Sequence, residues 1–204
     1  MNLDDESAEV RRLADASMQG ADAVSQVLEP YRDKLRRIVR FRLDRRIQQR
    51  VDPSDVIQDA FIEAIERLPE YIANPEVPLF VWLRFLTVQK MLQTQQRHLG
   101  VQARDPRREI SLQKNVGSPT SVAIVSQLIG RDDTPTRAAV KAELRYQLEK
   151  SLDELDELDR EVLALRHFEQ LSNMEVARIL KLTEKAASKR YRRALERLKK
   201  ILES

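Results

Sequence analysis

Residues 172–202 read SNMEVARILKLTEKAASKRYRRALERLKKIL. A short amphipathic segment, a tight connection and a longer basic amphipathic segment form the pattern of a helix-turn-helix. Ser172 and Glu175 have the spacing of a capping box that opens the first helix. Thr183 is placed to cap the second, which runs to about Leu202. The connection Lys181-Leu182-Thr183 lacks the glycine that such turns often hold. A left-handed residue there falls on Lys181, at about 1–2 kcal/mol, unless the turn takes a different form. Along the second helix, which starts near Glu184, the residues Lys185, Ser188, Lys189 and Arg192 share one side, while Ala187, Ala194, Leu195 and Leu198 are left to pack. Cations and a small hydroxyl near a helix N-terminus suit phosphate and base-edge contacts. A solvated charged face is the competing account, and the helix-turn-helix spacing favours DNA.

Working outward, the composition agrees with a helical protein. Of 204 residues 34% are charged, 5% are aromatic and four are glycine, a mix that favours helices over sheets. Charge is segregated along the chain. Lys181–Ser204 holds nine Lys/Arg against three Asp/Glu, and Glu149–Glu161 holds seven acidic residues against two basic ones. This points to separate surfaces for separate partners. There is no cysteine, so disulfides and thiolate metal sites are excluded. His98 and His167 are too far apart in sequence to suggest a ligand pair. No cofactor motif, catalytic triad or phosphate loop is visible, so an enzyme is not expected. The acidic start MNLDDESAEV is unlike a signal peptide, no run approaches a membrane span, and the expected location is cytoplasmic.

The expected fold is all-α: two small helical domains joined by a long linker, the C-terminal one a four-helix domain containing the helix-turn-helix. Residues 1–24 form a polar N-terminal extension, with a loosely held helix in its first twenty residues. The first domain spans 25–100. Helical spacing runs from about Ser25 to Arg50. Asp52-Pro53-Ser54-Asp55 then restarts a helix, with Asp52 as N-cap and Pro53 in the first turn. Pro69 ends that helix, residues 70–78 are a loop, and Phe80 to about His98 forms the next helix, closed by Gly100. Residues 101–136 are richer in Ser, Thr, Pro, Gly and Asp and read as linker, with one short helix over Ser121–Ile129. The second domain spans 137–204, where Leu144, Leu148, Leu152 and Leu155 mark its first helix and Asp159–Glu169 its second.

Two further constellations lie in the first domain. Asp52, Asp55, Asp59 and Glu63 step along one side of a helix, with Gln58 nearby. Without histidine or a phosphate loop beside them they offer either a solvated acidic face or a docking surface for a basic protein. In PLFVWLRFLTVQKMLQTQQRHLG, residues 78–100, the aromatic residues could stack on unpaired bases, though core packing is favoured for Phe85. Gln89, Lys90, Gln93 and Arg97 gather on the polar side, where glutamines can pair with adenine.

The order of these three constellations resembles the bacterial RNA polymerase sigma factors, in particular the compact extracytoplasmic-function (ECF) group, over about residues 25–100 and 138–202. DPSDVIQDAFIEAIERLPEY looks like the helix that docks on the polymerase clamp. VWLRFLTVQKMLQTQQR looks like the segment that opens and reads the promoter −10 element. LDELDREVLALRHFEQLSNMEVARILKLTEKAASKRYRRALERL looks like the region that reads the −35 element. The resemblance implies that Asp52, Asp55, Gln58 and Asp59 contact core RNA polymerase. It implies that Gln89, Lys90, Gln93 and Arg97 lie along −10 DNA, with residues 70–78 near an extruded base. It implies that Glu184, Lys185, Ser188, Lys189 and Arg192 face the −35 major groove. Core RNA polymerase and promoter DNA are then the partners, an anti-sigma factor is a further one of the kind the family uses, and no cofactor or membrane is involved. The rival accounts are a dimeric helix-turn-helix regulator that binds operators without joining polymerase, and a protein-binding helical adaptor.

Overall fold

The computed structural model describes residues 3–103, 119–129 and 135–202. These residues form helices and turns without a strand, and the chain divides into two compact units, Met1–Arg104 and Asp105–Ser204. No helix among the described residues is long and apolar enough to cross a membrane.

In the first unit, α1 (Leu3–Gln19) packs against α2 (Ala21–Leu28). Gly20 separates them at φ 110°, a conformation that favours glycine. Helix α1 is therefore packed within the unit, where a loosely held helix was expected. Leu13 and Ala16 are buried, and Tyr31 Oη donates to the buried carboxylate of Glu9. Pro30 lies in a tight 3₁₀ turn, Glu29–Tyr31, between α2 and α3 (Arg32–Arg42). The helix expected to reach Arg50 stops at Arg42, where Leu43 becomes extended. Side chains supply the reason. Gln95 Nε2 donates to the Arg42 carbonyl at 3.2 Å and Gln48 Nε2 to the Leu43 carbonyl at 2.8 Å. Asp44 meanwhile accepts from the Arg46 backbone at 2.9 Å. Leu43, Ile47 and Val51 anchor the following turns in the core.

Helix α4 (Pro53–Glu66) begins as the residues dictate. Asp52 Oδ1 accepts from Ser54 N at 2.8 Å, and Pro53 occupies the first turn, where its missing N–H costs nothing. Val56, Ile57, Ala60, Phe61 and Ala64 are buried. Pro69 does not lead into a loop. It sits in the first turn of a short helix, α5 (Leu68–Ala73), a place proline tolerates. The long α6 (Leu79–Ala103) runs through Gly100, which does not close it. Phe80, Leu83 and Leu86 of α6 are buried, and α6 packs chiefly on α4.

Among the described residues the second unit opens with α7 (Pro119–Ile129), which includes the short helix expected within the linker. The expected linker residues 104–118 and 130–134 lie outside the described ones. Helix α7 packs on α8 (Pro135–Asp153) and α9 (Glu157–Leu163), burying Ile124 and Val125. Two hydroxyls fix its start: Thr120 Oγ1 lies 3.1 Å from Glu161 Oε2, and Ser121 Oγ 2.6 Å from Asp153 Oδ1. Leu148, Leu152 and Leu155 are buried, whereas Leu144, expected on the same stripe, is largely exposed. Helix α9 widens into a π-helical turn over Ala164–Phe168 and closes with Gln170 at φ 58°. Then follow α10 (Asn173–Ile179) and α11 (Glu184–Leu202).

Candidate nucleic-acid interface

The helix-turn-helix is built from local rules. Ser172 Oγ accepts from Glu175 N at 3.2 Å and Glu175 Oε2 accepts from Ser172 N at 2.7 Å, completing the capping box. At the other end of α10, Leu182 N donates to the Ala177 carbonyl at 2.8 Å and Lys181 N to the Arg178 carbonyl at 3.4 Å. This is a Schellman closure, and its left-handed residue is Lys181 at φ 54°. The lysine thus adopts the strained conformation that the missing glycine foreshadowed. Thr183 Oγ1 accepts from Ala186 N at 3.2 Å and starts α11, while Asn173 Nδ2 donates to the Glu184 carbonyl at 2.8 Å and pins the two helix starts together.

This frame leaves Glu184, Lys185, Ser188, Lys189 and Arg192 exposed along α11, while Ala187, Ala194 and Leu198 are buried. The remaining arginines behave differently. Asp159, with 0% exposure, receives Arg190 Nη1 at 2.8 Å and Arg193 through Nε and Nη2 at 2.8 and 2.7 Å. Asp156, the N-cap of α9, lies 3.4 Å from Arg190. Burial would raise the Asp159 pKa, but the hydrogen bonds from Arg193 and Arg190 outweigh it and hold the carboxyl below its ordinary value. The acidic stretch 149–161 is therefore not wholly a separate partner surface, since part of it neutralises the basic helix and fixes its position. Arg166 adds a second tie, its guanidinium 5.3 Å from the Tyr191 ring centre and its Nη1 2.5 Å from the Leu171 carbonyl.

In the first unit the acidic row is partly as expected. Asp52, Asp55, Gln58 and Asp59 are exposed on or just before α4. Asp52 has a second duty, because the Ser54 N–H it caps holds its carboxyl below the ordinary range. On α6 the candidate residues divide. Gln93 and Arg97 are exposed, and Arg97 Nη2 donates to Thr94 Oγ1 at 3.3 Å. Gln89 and Lys90 are half-buried, and Lys90 Nζ meets Glu63 Oε2 at 2.7 Å.

Among the aromatic residues, Phe85 reverses expectation. Phe85 is 59% exposed and does not belong to the core, because it lies well round the helix from Leu79, Leu83 and Leu86. Phe80 is buried, with the Tyr31 ring 6.1 Å away and Lys34 Nζ 3.8 Å from its centre. Trp82 stacks on Tyr71 at 4.4 Å, and Tyr71 Oη donates to the Val77 carbonyl at 2.9 Å, tying down the segment before α6. No group of three or more metal-ligating side chains occurs among the described residues.

Comparison with known proteins places these features. Residues 151–200, which span α9 through α11, match the family model for sigma-70 region 4. The chain as a whole is similar to SigW, an ECF RNA polymerase sigma factor of Bacillus subtilis (strain 168), at 22% identity over 195 residues, covering 94% of this chain and 95% of SigW. Its fold matches CnrH, solved in complex with the cytosolic domain of CnrY, with a TM-score of 0.52 and 22% identity, covering 96% of this chain and 97% of CnrH. The resemblance to the ECF sigma factors read from the residues is borne out by the likeness to SigW and the region 4 match, while the likeness to CnrH bears on the fold.

Proposed function

We propose that this chain acts as an ECF-type sigma factor, joining core RNA polymerase through the exposed row Asp52, Asp55, Gln58 and Asp59 and directing it to promoters. Gln89, Lys90, Gln93 and Arg97 on α6 serve the −10 element. Glu184, Lys185, Ser188, Lys189 and Arg192 on α11 serve the −35 element. The observation that carries this reading is the likeness to SigW, which runs through both helical units and not the helix-turn-helix alone. In this scheme 1–24 belongs with the polymerase-docking and −10 unit, and 137–204 is the −35 unit. An anti-sigma factor is the third partner, by analogy with CnrH, which was solved with the cytosolic domain of CnrY. No chemistry is assigned to the chain itself.

The physical logic is bivalency. A small helical unit binds DNA weakly, mostly through phosphates, and with little selectivity. Two such units held at a fixed separation by polymerase act as one contact, with an effective concentration set by that geometry. Captured single-stranded bases offset part of the cost of melting. The test is reversal of charge on the exposed face of α4. Asp55→Arg combined with Asp59→Arg leaves the buried side of the helix untouched. It is expected to abolish co-purification with core polymerase and promoter-directed run-off transcription, while duplex DNA binding through α11 persists. Retained core association, or tight sequence-specific promoter binding by the free wild-type chain, refutes the reading in favour of a self-sufficient DNA-binding regulator.

A further inference from the structure

The acidic row on α4 does not end in solvent. Asp55 and Asp59 are exposed, but one turn further on the Glu63 carboxylate faces α6. There its Oε2 meets Lys90 Nζ at 2.7 Å, and its Oε1 accepts from Arg67 Nη1 at 3.2 Å. The hydrogen bond from Lys90 is the main reason this carboxyl stays below its ordinary pKa, with burial opposing and Arg67 helping. Lys90 also opens a line on α6 through Gln93 and Arg97, at steps of three and four residues, and both of those are exposed. A single ion pair therefore joins the last rung of the acidic row to the first rung of the polar one. The two side chains keep 17% and 24% of their exposure, so a competing anion can reach the ammonium. A phosphate that makes the same contact competes with Glu63 for the same ammonium.

We infer that Glu63 occupies the place of a nucleic-acid phosphate on Lys90, holding that cation against α4 in the free protein so that single-stranded −10 DNA has to displace it. The inference rests on the reading of α6 as the −10 face. It makes Glu63, which belongs to neither the docking set nor the DNA set, a positioning residue that acts through Lys90. Its effect is to weaken non-specific attraction to polyanions, since one cation of the DNA side is already answered within the unit.

The test titrates the full-length chain with a labelled single-stranded oligonucleotide of mixed sequence across a series of salt concentrations. Each phosphate contact on a single strand contributes about 0.7 to the slope of log K against log salt. Glu63→Gln keeps the side-chain shape and removes the charge. It is expected to steepen the slope by about 0.7 and to tighten binding severalfold at low salt. In a Lys90→Met background the same substitution is expected to add nothing. An equal increment in both backgrounds assigns the effect to Arg67 or to diffuse charge and overturns the proposal, as does no increment in either. Glu63→Ala, with the same change of charge, serves as a second variant, and melting curves verify that each variant folds. Core association of the wild-type chain is measured in parallel. Its absence defeats the polymerase reading, whereas the salt increment bears only on the lock between Glu63 and Lys90.

Discussion

Lys181, like Gln170, carries a backbone cost. Its φ of 54° closes α10 in the left-handed region, where a side chain is disfavoured by about 1–2 kcal/mol. Lys181→Gly is therefore expected to raise stability by about 1 kcal/mol in urea unfolding, and Lys181→Val to lower it by at least as much. The residue is exposed, so the change should leave packing alone. Much at this scale was legible beforehand. The caps at Asp52, Ser172 and Thr183 are local chemistry, complete within three residues, and the missing glycine marked Lys181. Phe85 was not legible, and the reason is physical. Helix α6 buries Leu79, Phe80, Val81, Leu83 and Leu86, side chains that point in several directions. A helix apolar on several sides gives periodicity no phase, so no pattern within it says which aromatic is left outside.

Among the helices, α11 owes its position to an acid in another element. Asp159 on α9 sits 31 and 34 residues before Arg190 and Arg193 and holds both. Nothing local in the sequence pairs them. The runs of opposite charge were visible, but their neutralisation depends on α9 and α11 packing together. Asp159→Ala would leave two guanidinium groups beside an apolar gap and is expected to cost about 2 kcal/mol or more in chemical unfolding. The sign of the pH effect follows from the lowered folded-state pKa. The stabilisation is complete above the unfolded-state value of about 3.9 and is lost as pH falls through the folded value. Wild-type stability should therefore drop below about pH 4, and the Asp159→Ala variant should lack that part of the drop. Comparing urea midpoints of the two proteins from pH 7 to pH 3 checks this.

For the molecule as a whole, the all-α class and the presence of two helical units followed from composition and periodicity, whereas the starting points of the units did not. The stretch before Gly20 looked too polar to pack, yet it carries Leu13 and Ala16 at the right spacing to cover α2. Residues 119–129 looked like part of a linker because prolines and glycines flank them, yet Ile124 and Val125 enter the second unit beside Leu152 and Val162 among its buried residues. Each such side chain contributes about 1.5–3 kcal/mol when buried. A fragment spanning 137–204 is thus expected to melt well below one spanning 119–204, as followed by far-ultraviolet circular dichroism. The docking of α7 reaches into laboratory practice. Anyone who trims this chain to its sigma-70 region 4 match, residues 151–200, cuts away a wall of the fold along with the tail. The trimmed piece would expose a greasy floor, and poor solubility or promiscuous sticking in a DNA-binding assay would then reflect the surgery, not the specificity of the helix-turn-helix.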